Sequence, residues 1–340
     1  MFIKKDTRKI PQILSDATTR LESPEGDKPI TELSFARRAP ELLASGISLI
    51  LQPSFHPALE NLVQLSLYDC GLNYVKEIQK NDVVLFPKLE QLDIGRNPSL
   101  VNDSLSDTFH TQFPALKEVW ADDCSFGPSI PETLMQLKKL EVVRMTNNKL
   151  ESVTELNNHW PMIKVLALDG NALQSAAGMG RLQHLEKLHL RQNKLTELDG
   201  VPSAENLKLT MFSLSSNLLS RLPESFVEAT ALKEVYLNGN QLEALPNGLS
   251  KLTELTKLNL AHNNIGQGKT PEEEDNFLPA DFVERFGMPN VTSGKCDKDD
   301  SCVVLMEGNP LAENRKKRYW EEKRKAKEME IASMEVEEEG

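Results

Sequence analysis

The sequence is poor in several of the features that point to a protein's chemistry. Four cysteines in 340 residues are too few for a disulfide-stapled scaffold. The longest apolar run, around Leu42 to Leu51, is broken by Ser45, Gly46 and Ser48, and it falls well short of the ~20 residues that span a bilayer. The first residues, Met1-Phe2-Ile3-Lys4-Lys5-Asp6-Thr7-Arg8, lack the apolar stretch of a signal peptide. Asn290-Val291-Thr292 fits a glycosylation acceptor but has no secretion signal to use it. Basic charge is short: 39 Lys and Arg stand against 51 Asp and Glu, a net charge of −12, which argues against a nucleic-acid backbone as partner. These absences lead us to expect a soluble intracellular chain, cytoplasmic with the nucleus as the alternative.

Catalytic signatures are missing as well. There is no G-x-x-x-x-G-K-[ST], no H-E-x-x-H and no G-x-S-x-G. Cys296 and Cys302 flank acidic residues, but their spacing is not that of a zinc pair. A calcium loop starting at Asp297 puts Cys302 where the turn needs Gly, and Gly308 where the bidentate Glu belongs. His56, His110, His159, His184, His189 and His262 show no paired spacing. No enzyme, metal or cofactor is expected.

What the chain has in quantity is periodic leucine. Leu185 to Leu195 (LEKLHLRQNKL) carries apolar residues at positions 1, 4, 6 and 11 and an Asn at position 9. The pattern returns at Leu140 to Leu150, Leu232 to Leu242 and Leu255 to Ile265. The position-9 series runs Cys70, Asn97, Cys124, Asn148, Asn171, Asn193, Asn217, Asn240, Asn263 and Asn309. Positions 4 and 6 alternate along a short strand, so both point into a core. An Asn at position 9 offers its amide to backbone groups of neighbouring coils that would otherwise be buried and unpaired. Cys fills the same slot as a small buried residue with a weak S–H donor.

On these residues the chain resembles the leucine-rich repeat superfamily. Asn217 to Glu234 and Asn240 to Lys257, each with an L-P-x-x-[LF] turn, resemble the intracellular Ras-group leucine-rich repeat proteins, which are scaffold-like signalling regulators. Asn148 to Val165 and Asn171 to Lys187 lack that Pro and look like repeats of the protein phosphatase-1 regulatory subunit; Ser125 to Pro131 looks like the plant receptor type. The superfamily resemblance implies an α/β solenoid: a curved, parallel sheet on the concave face, with short helices, 3₁₀ turns and extended segments on the convex face. It also implies a general role in protein binding.

The expected organisation has three parts. Residues 1–58 form an N-terminal cap with two degenerate units, echoed in Arg8 to Leu14 and Arg37 to Leu43; the basic pairs Arg8-Lys9 and Arg37-Arg38 read as solvated cap surface. Residues 59–311 form about ten repeats with an acidic insertion near 266–300. There Glu272 to Asp275 reads as an exposed loop, and Leu278 to Gly287 as a short helix with Gly287 as its stop. Residues 312–340 form a charged helix and tail starting near Glu313, with Tyr319 and Trp320 placed to cover the open end of the stack.

The candidate site follows from alternation. Position 5 of successive repeats holds Ser66, Asp93, Trp120, Arg144, Ala167, His189, Ser213, Tyr236, Asn259 and Leu305, which should form one row on the open sheet face. Glu118, Asp122 and Asp123 join Asp93 in an acidic patch around Trp120, while Lys187 and Arg191 join His189 in a basic one. Exposed Trp, Tyr and Arg are the residue types enriched at interface hot spots. The expected function is non-enzymatic: a monomeric scaffold or signalling regulator that grips a protein partner, such as a small GTPase, kinase or phosphatase component. The alternatives are a regulatory subunit of a protein phosphatase and an acidic chaperone for basic proteins built on Glu272 to Asp275 and Glu335 to Glu339.

Overall fold

Among the described residues each coil is built around one strand of three residues whose middle member is aliphatic, or Phe212 in one case. The computed structural model describes residues 9–21, 31–37, 50, 52–75, 86–153, 156–274, 276–296, 298–299 and 301–338. The chain divides into two compact units, Met1–Lys194 and Leu195–Gly340. The first holds strands β1 (Glu32–Ser34), β2 (Gln64–Ser66), β3 (Gln91–Asp93), β4 (Glu118–Trp120), β5 (Val142–Arg144), β6 (Val165–Ala167) and β7 (Lys187–His189). They pair in parallel and in sequence order. The register aligns the position-4 residues Leu33, Leu65, Leu92, Val119, Val143, Leu166 and Leu188. All of them are buried, as are the position-6 residues from Phe35 to Leu190.

The second unit contains β8 (Met211–Ser213), β9 (Glu234–Tyr236), β10 (Lys257–Asn259), β11 (Lys295–Cys296) and β12 (Val303–Leu305). Strands β8, β9, β10 and β12 are parallel neighbours in that order, and β11 lies antiparallel on the outer side of β12. The parallel sheet expected from the repeats thus carries one antiparallel strand, supplied by the insertion. Return segments are single turns, helical at Glu132–Met135 and 3₁₀ at Glu224–Glu228 and Leu249–Lys251. Within the two L-P-x-x-[LF] turns, Phe226 and Leu249 point into the core.

The position-9 residues stitch coil to coil. Asn97 accepts the N–H of Cys70 (3.0 Å) and Leu72 (2.9 Å) and donates to the carbonyls of Leu67 (3.0 Å) and Ile94 (2.8 Å). Asn171 and Asn193 repeat this toward Met145, Leu150, Leu168, Leu173 and Leu190. Asn148 bonds Ala121 and Phe126. In the second unit Asn217, Asn240, Asn263 and Asn309 do the same. Cys70 and Cys124 donate S–H to the carbonyls of Phe35 and Ile94. Burial pushes the Cys124 thiol up to about 12, so it stays protonated and inert.

Position 8 of the repeat also has a constant role, which the sequence reading passed over. Arg37, Asp69, Arg96, Asp123, Asn147 and Gln192 all adopt left-handed backbone, with φ between 53° and 63°. Gly170 takes the same place at φ 65°; a Cβ there would lie 2.2 Å from the Asn147 side-chain oxygen. The left-handed residue turns the chain inward so that the next side chain enters the core.

At the N-terminal end, helix α1 (Ile10–Leu21) buries Ile10, Ile13, Leu14 and Ala17, one face at i, i+3, i+4, i+7, and packs on the turns at Pro53–Phe55 and His56–Leu59. Of the echo and basic pairs read there, Arg8 and residues 38–43 lie outside the described residues.

In the second unit the insertion forms helix α2 (Ala280–Phe286), stopped by Gly287 at φ 80°. Three expectations need correction there. The run from Glu272 is a helical turn, Pro271–Glu274, and Glu274 is 1% exposed; it accepts hydrogen bonds from Asn314 and Arg318, each at 2.7 Å. The C-terminal helix α3 (Pro310–Glu338) starts at Pro310, not near Glu313, because Pro's missing N–H and fixed φ suit a first helical position. Trp320 is 53% exposed, and the buried residues of that helix are Leu311 and Ala312 among those whose burial is described. Asp275, Asp297, Asp300 and Glu339 lie outside the described residues.

Candidate functional site

Residues 3 and 5 of each coil flank the buried position 4, so both stand on the open face of the sheet. In the first unit the strand register joins Ser34, Ser66, Asp93, Trp120, Arg144, Ala167 and His189 into one row, with ~4.8 Å between neighbours. A second row of position-3 residues runs beside it through Gln91, Glu118, Val142, Val165 and Lys187. Trp120, Val142, Val165 and Ala167 are all partly exposed. The sequence reading named Trp120 as an anchor and missed the two valines, although the same alternation places them.

The centre of the face is a linked trio. The Arg144 guanidinium lies 5.3 Å from the centre of the Trp120 ring, and its Nη2 is 2.7 Å from the Asp122 carboxylate. Asp122 also accepts the Thr146 backbone N–H at 2.8 Å. The guanidinium is thereby held over the indole face, an arrangement that cation–π attraction favours. The buried indole N–H of Trp120 meets no acceptor among the described residues.

The two flanks carry opposite charge. Asp93 on β3, Glu118 on β4 and Asp122 and Asp123 just after it form the acidic flank. Asp93 accepts the Ser66 hydroxyl and the Gly95 N–H, each at 3.0 Å. Burial holds its carboxyl above the ordinary value despite those bonds. On β7 and just after it stand Lys187, His189 and Arg191. Asp169, which accepts the Arg191 N–H at 2.6 Å, is likewise raised by burial. Burial lowers His189, assisted by Lys187, Arg144 and Arg191 and opposed by Asp169. Raised carboxyls and a depressed histidine on one surface are the sort of perturbation that clusters at working sites.

Tyr236 lies in the second unit, in the row Ser213, Tyr236, Asn259, Leu305. Its hydroxyl donates to Glu234 at 2.5 Å, and Lys257 stands 4.8 Å from its ring centre. The structure therefore gathers Asp93, Glu118, Trp120, Asp122, Arg144, Lys187, His189 and Arg191 on one sheet of the first unit, and gives Tyr236 its own charged setting on the other.

Residues 183–242 match the family described as Leucine rich repeat. The stacked coils and their parallel strands give the chain a leucine-rich repeat solenoid fold. The chain is similar to mouse lumican, 32% identical over 212 residues that cover 53% of this chain and 61% of lumican. It is also similar to human leucine-rich repeats and immunoglobulin-like domains protein 3, 30% identical over 137 residues, 39% of this chain and 12% of that protein. The chain thus spans less than two thirds of either relative's length. Among solved structures, a leucine-rich repeat protein of Leptospira interrogans superposes with a TM-score of 0.64 at 20% identity, over 90% of this chain and 77% of that one. Proteins of this fold generally mediate protein–protein interaction and are typically not enzymes.

Proposed function

We propose that the protein is an intracellular scaffold that holds a partner protein on the open sheet face of its first unit. The observation that carries this reading is the Trp120–Arg144–Asp122 trio, an aromatic and a guanidinium fixed in place on a partly exposed, charge-flanked surface. Anchors already held by the fold lose little freedom on binding, so most of their contact energy survives as affinity. A reducing compartment suits the four cysteines, each of which is buried as a thiol. The resemblance of its repeats to Ras-group and phosphatase-regulator types makes small GTPases and phosphatase catalytic subunits the first partners to try.

The test is affinity capture followed by mass spectrometry, with the wild type and with Trp120→Ala combined with Arg144→Ala. We expect the double variant to lose at least about tenfold in partner recovery, since hot-spot truncations cost 2 kcal/mol or more. Its circular dichroism should match the wild type. Unchanged recovery by a folded double variant refutes the site.

A further inference from the structure

The charges at the two ends of the face are uncommitted. Elsewhere on these coils Lys117 pairs with Glu90 at 2.8 Å and Lys164 with Glu141 at 2.6 Å. Glu118, Lys187 and Arg191 make no ion pair among the described residues, though Lys187 and Arg191 are exposed and Glu118 is partly so. Between the ends lie Val142 and Val165, apolar and partly exposed. Along the position-3 row the face therefore reads acidic at Glu118 on β4, apolar at Val142 and Val165 on β5 and β6, and basic at Lys187 on β7, with Arg144 in the neighbouring row.

The dimensions select the ligand. Strands β4 and β7 are three steps apart, ~14 Å at 4.8 Å per step. An extended chain advances ~3.3 Å per residue and shows alternate side chains to one side. Residues i and i+4 of such a chain are ~13 Å apart, and i, i+2 and i+4 all face the same way. Each strand is three residues long, or ~10 Å. A patch of roughly 10 by 14 Å matches one extended segment and is far below the ~800 Å² that each partner buries in a stable folded interface.

We infer that this face recognises an extended segment of the pattern basic-x-aliphatic-x-acidic. The basic residue meets Glu118, the aliphatic one packs on Val142 and Val165, and the acidic one meets Lys187 and Arg191. The inference rests on the face being the binding surface and adds the chemistry of its ligand.

Three labelled peptides test it by fluorescence polarisation with the full chain: Lys-Ser-Val-Ser-Glu, Lys-Ser-Val-Ser-Lys, and Lys-Glu-Ser-Val-Ser. We expect the first to bind at least about tenfold tighter than the others, because placing like charges together is costly. The preference should shrink as salt is raised. In a Lys187→Glu, Arg191→Glu variant it should reverse toward Lys-Ser-Val-Ser-Lys. Equal binding of all three peptides, or a preference that the charge reversal leaves alone, overturns the inference. If that happens while the Trp120→Ala, Arg144→Ala variant still loses its captured partner, the face binds a folded surface and only the peptide pattern falls. If capture is also unaffected, the binding face itself is wrong.

Discussion

Asp93 is a carboxylate kept where the fold disfavours its charge. Burial raises its proton affinity above the ordinary value of 3.8, so the folded chain holds that proton more tightly than the unfolded chain does. Stability from this group therefore falls as pH rises through the raised value, and the penalty is complete at neutral pH. Asp93→Asn should stabilise the protein at pH 7, by less than about 1 kcal/mol, the scale of a surface substitution. The amide oxygen still accepts from Gly95, and the Ser66 hydroxyl can turn round to accept. Urea denaturation across pH should show the advantage shrinking as pH approaches 3.8; an advantage independent of pH means burial is not the cause. His189 has the opposite sign. Lowered from 6.5 by burial, it leaves the unfolded chain binding more protons, and its contribution is lost as pH falls below 6.5. The row that holds these residues was legible, because alternation along a strand decides it. Their pairings were not: the Arg144 partner, Asp122, belongs to the preceding coil, and sequence spacing alone does not say which nearby carboxylate a long side chain takes.

At the scale of the coil, the side chain at position 9 and the charge at position 2 both act between neighbours. Asn171→Ala would strand the Met145 carbonyl and the Leu150 N–H, both buried partners of its amide, while the Leu168 carbonyl keeps its bond from Asn193. Each unsatisfied group costs ~1–3 kcal/mol, so the expected loss is about 3 kcal/mol in urea denaturation. Asn171→Cys should lose less, because Cys70 and Cys124 already show a thiol donating to a carbonyl in that slot. Equal losses for the two variants contradict this account of the ladder. Position 2 alternates in sign through Glu90, Lys117, Glu141, Lys164 and Glu186, with ion pairs at Lys117–Glu90 and Lys164–Glu141. Such exposed pairs add little stability, but skipping a coil would set like charges together. The ladder was readable because its interval repeats. The left-handed position 8 was missed because Arg, Asp, Asn, Gln and Gly share it, and no single residue type announces the turn.

For the chain as a whole, the long interval from Asn263 to Asn309 holds helix α2 and strand β11, and Asn309 rejoins the ladder through Leu260, Met306 and Ile265. How the insertion is held down was hidden. Glu274 sits in an acidic run that reads as solvated, yet Arg318 and Asn314 of α3 reach it. Arg318→Ala would leave that carboxylate buried with Asn314 as its remaining partner among the described residues, a loss of ~3–5 kcal/mol for breaking a buried pair. Trypsin should then cut faster at the basic residues of α3, and an unchanged cleavage rate means the pair does not hold the helix. A carboxylate's company is set by which distant segment folds over it, and local composition carries no record of that.

The division of labour within each strand has a consequence for descent. The middle residue is sealed in the stack while its two flanking residues look outward, so folding and recognition are written in different codons of the same triplet of residues. Substitutions that retune what the surface prefers, for example at Val142 or Lys187, leave Val143 and Leu188 untouched. A gene built this way can change its binding partner through successive single substitutions without passing through an unfolded ancestor.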